Sequence, residues 1–123
     1  MIGSAPDSHV FRDIFSTEAM RRIFSDRQRT QYYLDIELAL ARAQAGLGVI
    51  PREACDEIQR HGDAGAYDMD LLKRQTERIG YPILPVVQQL VAKCRDGLGE
   101  WCHWGATTQD ITDTATVLAI RNA

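Results

Sequence analysis

Residues 26–47, DRQRTQYYLDIELALARAQAGL, decide the fold class. Tyr33, Ile36, Leu40, Ala43 and Leu47 recur at steps of three and four, which puts them on one stripe of an α-helix. Leu34, Leu38, Ala41 and Ala45 repeat the pattern one position over, so the apolar face is wider than one neighbour can cover. The helix is therefore expected to lie among several others. Its small residues Ala39, Ala41, Ala43 and Ala45 let those neighbours come close, Asp26 is read as its cap, and Gly46 and Gly48 weaken its carboxyl end.

Working outward from this helix, Thr17 precedes EAMRRIF with Glu18 in the first turn, which predicts a short helix ending near Ser25. Residues 1–16, MIGSAPDSHVFRDIFS, read as an extended arm that docks by its aromatic residues. On the other side, Pro51 suits the start of a helix that ends by Gly62. HGDAGAYD is a connecting loop, after which Asp68 or Asp70 starts MDLLKRQTERI, closed by Gly80. A helix after Tyr81-Pro82 carries Val86, Val87, Leu90, Val91 and Cys94 on one stripe. Asp96-Gly97 and Gly99 break the chain before the aromatic segment EWCHWG, and a last helix from Thr108 places Ile111, Ala115 and Leu118 together. No internal repeat and no period-2 strand occurs, so the class is all-α.

The bulk properties narrow the function. The chain has 123 residues, 45% of them hydrophobic and 25% charged, with a formal net charge of −3, the balance of a folded soluble domain. A mildly acidic chain with no Lys/Arg block offers no surface for nucleic acid or anionic lipid, and no apolar run is long enough to span a membrane. Asp7, Arg12, Asp13, Glu18, Arg21 and Arg22 interrupt any signal-peptide core, so a cytoplasmic location is expected. Cys55, Cys94 and Cys102 form no CxxC and cannot all pair with one another, which reads as reduced thiols. Cys102-His103 alone is too few ligands for a metal, so neither metal nor cofactor is expected. GxGxxG, GxxxxGK[ST] and GxSxG are all absent from the sequence.

Chemistry concentrates in His103-Trp104-Gly105-Ala106-Thr107-Thr108-Gln109-Asp110, where a glycine-containing turn feeds a helix. The first N–H groups of a helix lack internal partners and sit at the positive end of its dipole. With the hydroxyls of Thr107 and Thr108 and the amide of Gln109 they form a cradle suited to a carboxylate. Thr107 with Asp110 three positions later also matches a capping box, which needs no ligand, and the two readings are compatible. His103 is read either as a general acid or base or as a buried histidine bonded to backbone. His9 in the arm and His61 at a helix end carry no catalytic signal, and Asp110 with Asp113 is ordinary compensation of a helix dipole.

At HWGATTQDITDT, residues 103–114, the chain resembles the first conserved block of the fumarase/aspartase superfamily. The run IFSTEAMRRIFSDRQRTQYYLDIELALARAQAGLGVIP is similar to that family's opening helices, so the likeness extends over nearly the whole chain. GYPILPVVQQL followed by HWGATTQD looks most like the 3-carboxy-cis,cis-muconate cycloisomerase branch. Two departures separate it from the adenylosuccinate lyase branch. Ile14-Phe15 stands where that branch has Arg-Tyr, and Ile83-Leu84-Pro85-Val86 where it has a His-Asp pair.

The resemblance implies an amino-terminal helical domain over 1–107, with 108–123 starting the first helix of a central bundle. It implies a homotetramer with active sites shared between subunits. Thr107 and Thr108 would bind a small carboxylate substrate, Gln109 would orient it, and His103 and Asp110 would support the loop. The reaction class implied is lactone formation or β-elimination through a carboxylate-stabilised carbanion. Adenylosuccinate-type C–N cleavage and a non-catalytic helical association module are the alternatives. The family's Gly-Ser-Ser-x-Met-Pro-x-Lys-x-Asn loop and its Thr-His block are not in these 123 residues, so the chain by itself is expected to be inactive.

Overall fold

The computed structural model describes residues 8–123 and is helical throughout, with no strand among them. Its helices are α1 (Arg12–Phe15), α2 (Glu18–Ile23), α3 (Asp26–Gly46), α4 (Arg52–Gln59), α5 (Met69–Ile79), α6 (Ile83–Lys93) and α7 (Thr108–Asn122), with short 3-10 turns at Ala64–Ala66 and Leu98–Trp101. Local chemistry explains most of the boundaries. Side-chain oxygens of Thr17, Ser25 and Asp68 accept the N–H groups of Met20, Gln28 and Leu71 at 3.2, 3.2 and 2.9 Å, capping α2, α3 and α5. Gly80 ends α5 in the left-handed region, at φ +96°. Ser25 thus takes the capping role expected of Asp26. Its backbone is extended and its hydroxyl reaches the free amides, whereas Asp26 is already helical and opposes the dipole from the first turn.

Helix α3 runs through the middle, packed against α2, α4, the Ala64–Ala66 turn, α6 and α7. Of its two apolar stripes, the one with Leu34, Leu38 and Ala41 enters the core, which it shares with Cys55 and Ile58 of α4, Ile83, Val86 and Leu90 of α6, and Ile111, Ala115 and Ala119 of α7. The other stripe leaves the core along its length. Tyr33 is buried, Ile36 and Leu40 are half-buried, and Leu47 is 82% exposed.

The described part of the segment before α2, residues 8–16, is not an extended arm docked by its aromatics. Arg12–Phe15 forms one helical turn and Val10, Phe11, Ile14 and Phe15 all face outward, while residues 1–7 lie outside the described part. Arg21 holds the turn, donating to Ser16 Oγ at 2.8 Å and pairing with Asp13 at 3.0 Å. Near the far end, the backbone of Gly99 lies against α6, where a Cβ would meet the Val91 carbonyl oxygen at 2.6 Å. That close approach sets where the loop leading to α7 begins. All three cysteines are free, and burial pushes the thiols of Cys94 and Cys102 up. No helix among the described residues is long and apolar enough to cross a membrane.

Candidate functional site

The loop entering α7 is built by conformations few residues adopt. His103 has φ +57° and Gly105 φ +70°, so the chain reverses twice within three residues before Thr107 returns it to extended geometry. Glycine takes such a φ freely, whereas a histidine there carries strain of roughly 1–3 kcal/mol that the surroundings must hold. Gln44 of α3 supplies part of that restraint, donating to the Trp104 carbonyl at 2.6 Å. The Trp101 and Trp104 rings pack against each other across this loop, 4.6 Å apart between centroids. At the start of α7, Asp110 Oδ2 accepts the Thr107 N–H at 3.0 Å, the acidic half of a capping box. Gln109 donates to Asp113 at 2.6 Å on the outer face.

Thr107 is therefore the extended N-cap residue, and Thr108 and Gln109 open the first turn, of a regular 15-residue helix, with Thr107 and Gln109 exposed and Thr108 half-buried. Beside them an open groove between α3 and α7 is lined by Ile36, Leu40, Trp104, Asp110 and Ile111. Asp110 borders both features. Helix amino ends of this kind hold anions through unpaired N–H groups and the dipole.

His103 meets neither of the two readings its sequence position suggested in full. Its partner is not backbone: Nδ1 lies 2.5 Å from Oε1 of Glu37, a side chain in the middle of α3 that is only 2% exposed. Burial pushes the Glu37 carboxyl above the ordinary carboxylate range, and the hydrogen bond to His103 works against that shift. Glu37 Oε2 has no hydrogen-bond partner. A buried carboxylate hydrogen-bonded to an imidazole can hold the ring in one orientation.

A second buried glutamate, Glu57 of α4, is arranged differently. Its Oε1 accepts from His61 at 3.0 Å and from the Arg95 N–H at 3.2 Å, and its Oε2 meets Arg60 at 3.3 Å and Arg95 Nε at 3.2 Å. The hydrogen bond from His61, then that from the Arg95 backbone, hold its carboxyl below the usual range. Neither glutamate was singled out from sequence. Glu37 had a usable signal, being the one acid set between the two apolar stripes of α3. Glu57 had a weaker one, its spacing of four from His61. No cluster of three or more His, Cys, Asp or Glu suited to a metal occurs among the described residues.

The all-helical fold matches the amino-terminal domains of fumarase-type lyases, and the chain's relatives and structure neighbours are lyases and cycloisomerases of the fumarase/aspartase superfamily. No protein-family model matches the chain. It is 60% identical over 111 residues to trans-aconitate decarboxylase 1 of Mycosarcoma maydis, a match covering 90% of this chain and 22% of that protein. A fumarate lyase structure from Mesorhizobium sp. BNC1 superposes with a TM-score of 0.80 at 47% identity, over 88% of this chain and 25% of the other. The 3-carboxy-cis,cis-muconate lactonizing enzyme of Pseudomonas putida gives a TM-score of 0.87 at 37% identity, over 94% and 27%. The chain spans about a quarter of the length of the relatives it matches.

Proposed function

We propose that the chain supplies a carboxylate-binding turn to the shared active site of a 3-carboxy-cis,cis-muconate cycloisomerase-like enzyme, with residues 1–107 as its amino-terminal helical domain and 108–123 as the start of a central bundle helix. Thr107 and Thr108 bind a substrate carboxylate, Gln109 orients it, and His103 and Asp110 support the loop. The substrate is a small unsaturated tricarboxylate, the class to which both aconitate and 3-carboxymuconate belong, and the enzyme is a cytoplasmic homotetramer. The observation that carries this reading is the placement of adjacent threonines at the N-cap and first position of a regular helix, Thr107 exposed and Thr108 half-buried, next to an apolar groove. Val117 and Ile120 of α7, both more than half exposed, support the assembly, because an apolar outer face on that helix calls for further helices against it.

In the enzyme assembled from the chain and the rest of its family fold, Thr108→Ala weakens substrate affinity roughly 10- to 150-fold, since a hydrogen bond to a charged group is worth about 1.5–3 kcal/mol. Unchanged turnover and affinity in that variant favour the association module instead. The 60% identity to a trans-aconitate decarboxylase supports decarboxylation as a second reading. Supplying trans-aconitate and 3-carboxymuconate to the assembled enzyme separates the two, because one releases carbon dioxide and the other closes a lactone. Cleavage of adenylosuccinate by the same preparation would instead favour the C–N lyase.

A further inference from the structure

We propose that Glu37 is a positioning residue for His103: its carboxylate accepts a hydrogen bond from Nδ1–H and holds the imidazole in the tautomer whose unprotonated nitrogen is Nε2, presented at the open side of the loop. Three observations meet at this pair. Glu37 Oε1 is within hydrogen-bond distance of Nδ1 from a helix 66 residues away in sequence. The backbone of His103 is held at φ +57°, so the ring is aimed by a conformation that an unconstrained loop avoids. Nε2 has no hydrogen-bond partner among the described residues and is not among the sealed, unpartnered polar atoms, whereas Glu37 Oε2 is.

A carboxylate has no proton to donate, so an ionised Glu37 can only accept, and a neutral imidazole that donates from one nitrogen keeps its lone pair on the other. Orientation of a base by a third group is the recurring way an imidazole is readied for proton transfer. With Glu37 ionised, the donor-acceptor direction is set by a side chain with almost no solvent to compete for it. The tautomer is a property of the pair alone. Its use as an acceptor toward substrate rests on the active-site placement proposed above and adds to the loop-supporting role given there to His103.

Nitrogen-15 NMR of the histidine side chains in this chain at neutral pH reads the tautomer directly, without any variant. The expected result is a protonated Nδ1 and a pyridine-type Nε2 for His103, against averaged signals for exposed His9. A protonated Nε2, or averaged signals like those of His9, overturns the proposal. In Glu37→Gln the amide can donate as well as accept, and the fixed pattern is expected to be lost or reversed, with helix content by circular dichroism unchanged. Retention of the wild-type pattern in a folded Glu37→Gln chain also overturns it. Trans-aconitate titrated into the same samples tests the functional reading separately. Shifts of the Thr108 and Gln109 amides report the carboxylate site, and a fixed tautomer without those shifts leaves the pair standing while the site falls.

Discussion

Glu37 and Glu57 form a controlled comparison inside one small domain. Both are glutamates on helices, both are 5% exposed or less, and each contacts a histidine ring nitrogen. They differ in how completely they are satisfied. Glu57 meets four donors on both oxygens and its carboxyl is held low, whereas Glu37 has one partner, one orphaned oxygen and a carboxyl pushed up. A saturated buried carboxylate is a clamp, tying α4 to the segment after α6. An under-satisfied one costs stability where it stands.

The largest expected effect separates them by activity. In the assembled enzyme Glu37→Gln lowers turnover by about 10²-fold, the lower end of what a positioned acid or base contributes, while Glu57→Gln stays close to wild type. Equal losses in steady-state assays of both variants would erase the distinction. Stability is expected to run the other way. Glu57→Gln leaves cationic and N–H partners without their anion and lowers the melting temperature. Glu37→Met removes an incompletely bonded buried acid and stays within about 1 kcal/mol of wild type or above it in urea unfolding.

The pH dependence sharpens the same contrast. Glu57 has a folded pKa below its unfolded one, so its contribution is present above the unfolded value and disappears as pH falls through the folded one. Glu37 has a raised folded pKa, so the unfolded chain releases its proton first, and the group costs stability as pH rises through that interval. Melting temperatures followed across the acid range are therefore expected to show a shallower acid loss in Glu57→Gln, and a smaller decline toward neutral pH in Glu37→Met. The smallest effect concerns the loop. Gln44→Ala removes the bond to the Trp104 carbonyl and costs about 0.5–1.5 kcal/mol in thermal or urea unfolding.

Much of this was legible in advance where the relevant atoms are close in sequence. The capping of α2 by Thr17, the closing of α5 by Gly80, and the Thr107–Asp110 contact each span a few residues and are visible as letters, while of the two candidates for the start of α5, Asp68 and Asp70, the structure selects Asp68. The HWGATTQD block was recognisable for the same reason. Ser25 displaced Asp26 as a cap because two capping residues stood side by side, and only the backbone at that point distinguishes them. The arm before α2 was misread because its Val and Phe residues suggested docking, while a guanidinium nine positions from Arg12 decided the local turn.

Sequence alone determined that the chain is helical, roughly where each helix from α2 onward starts and stops, and which superfamily block it resembles, because helix periodicity, caps and motifs act over three or four residues. Tertiary structure decided which stripe of α3 is buried, and that Glu37 lies against His103 and Glu57 against Arg95, across 66 and 38 residues. Those contacts depend on how α3, α4 and α7 share one core. Burial then sets the two acids apart, since the same carboxylate is driven up or held low by how many donors the packing brings within reach.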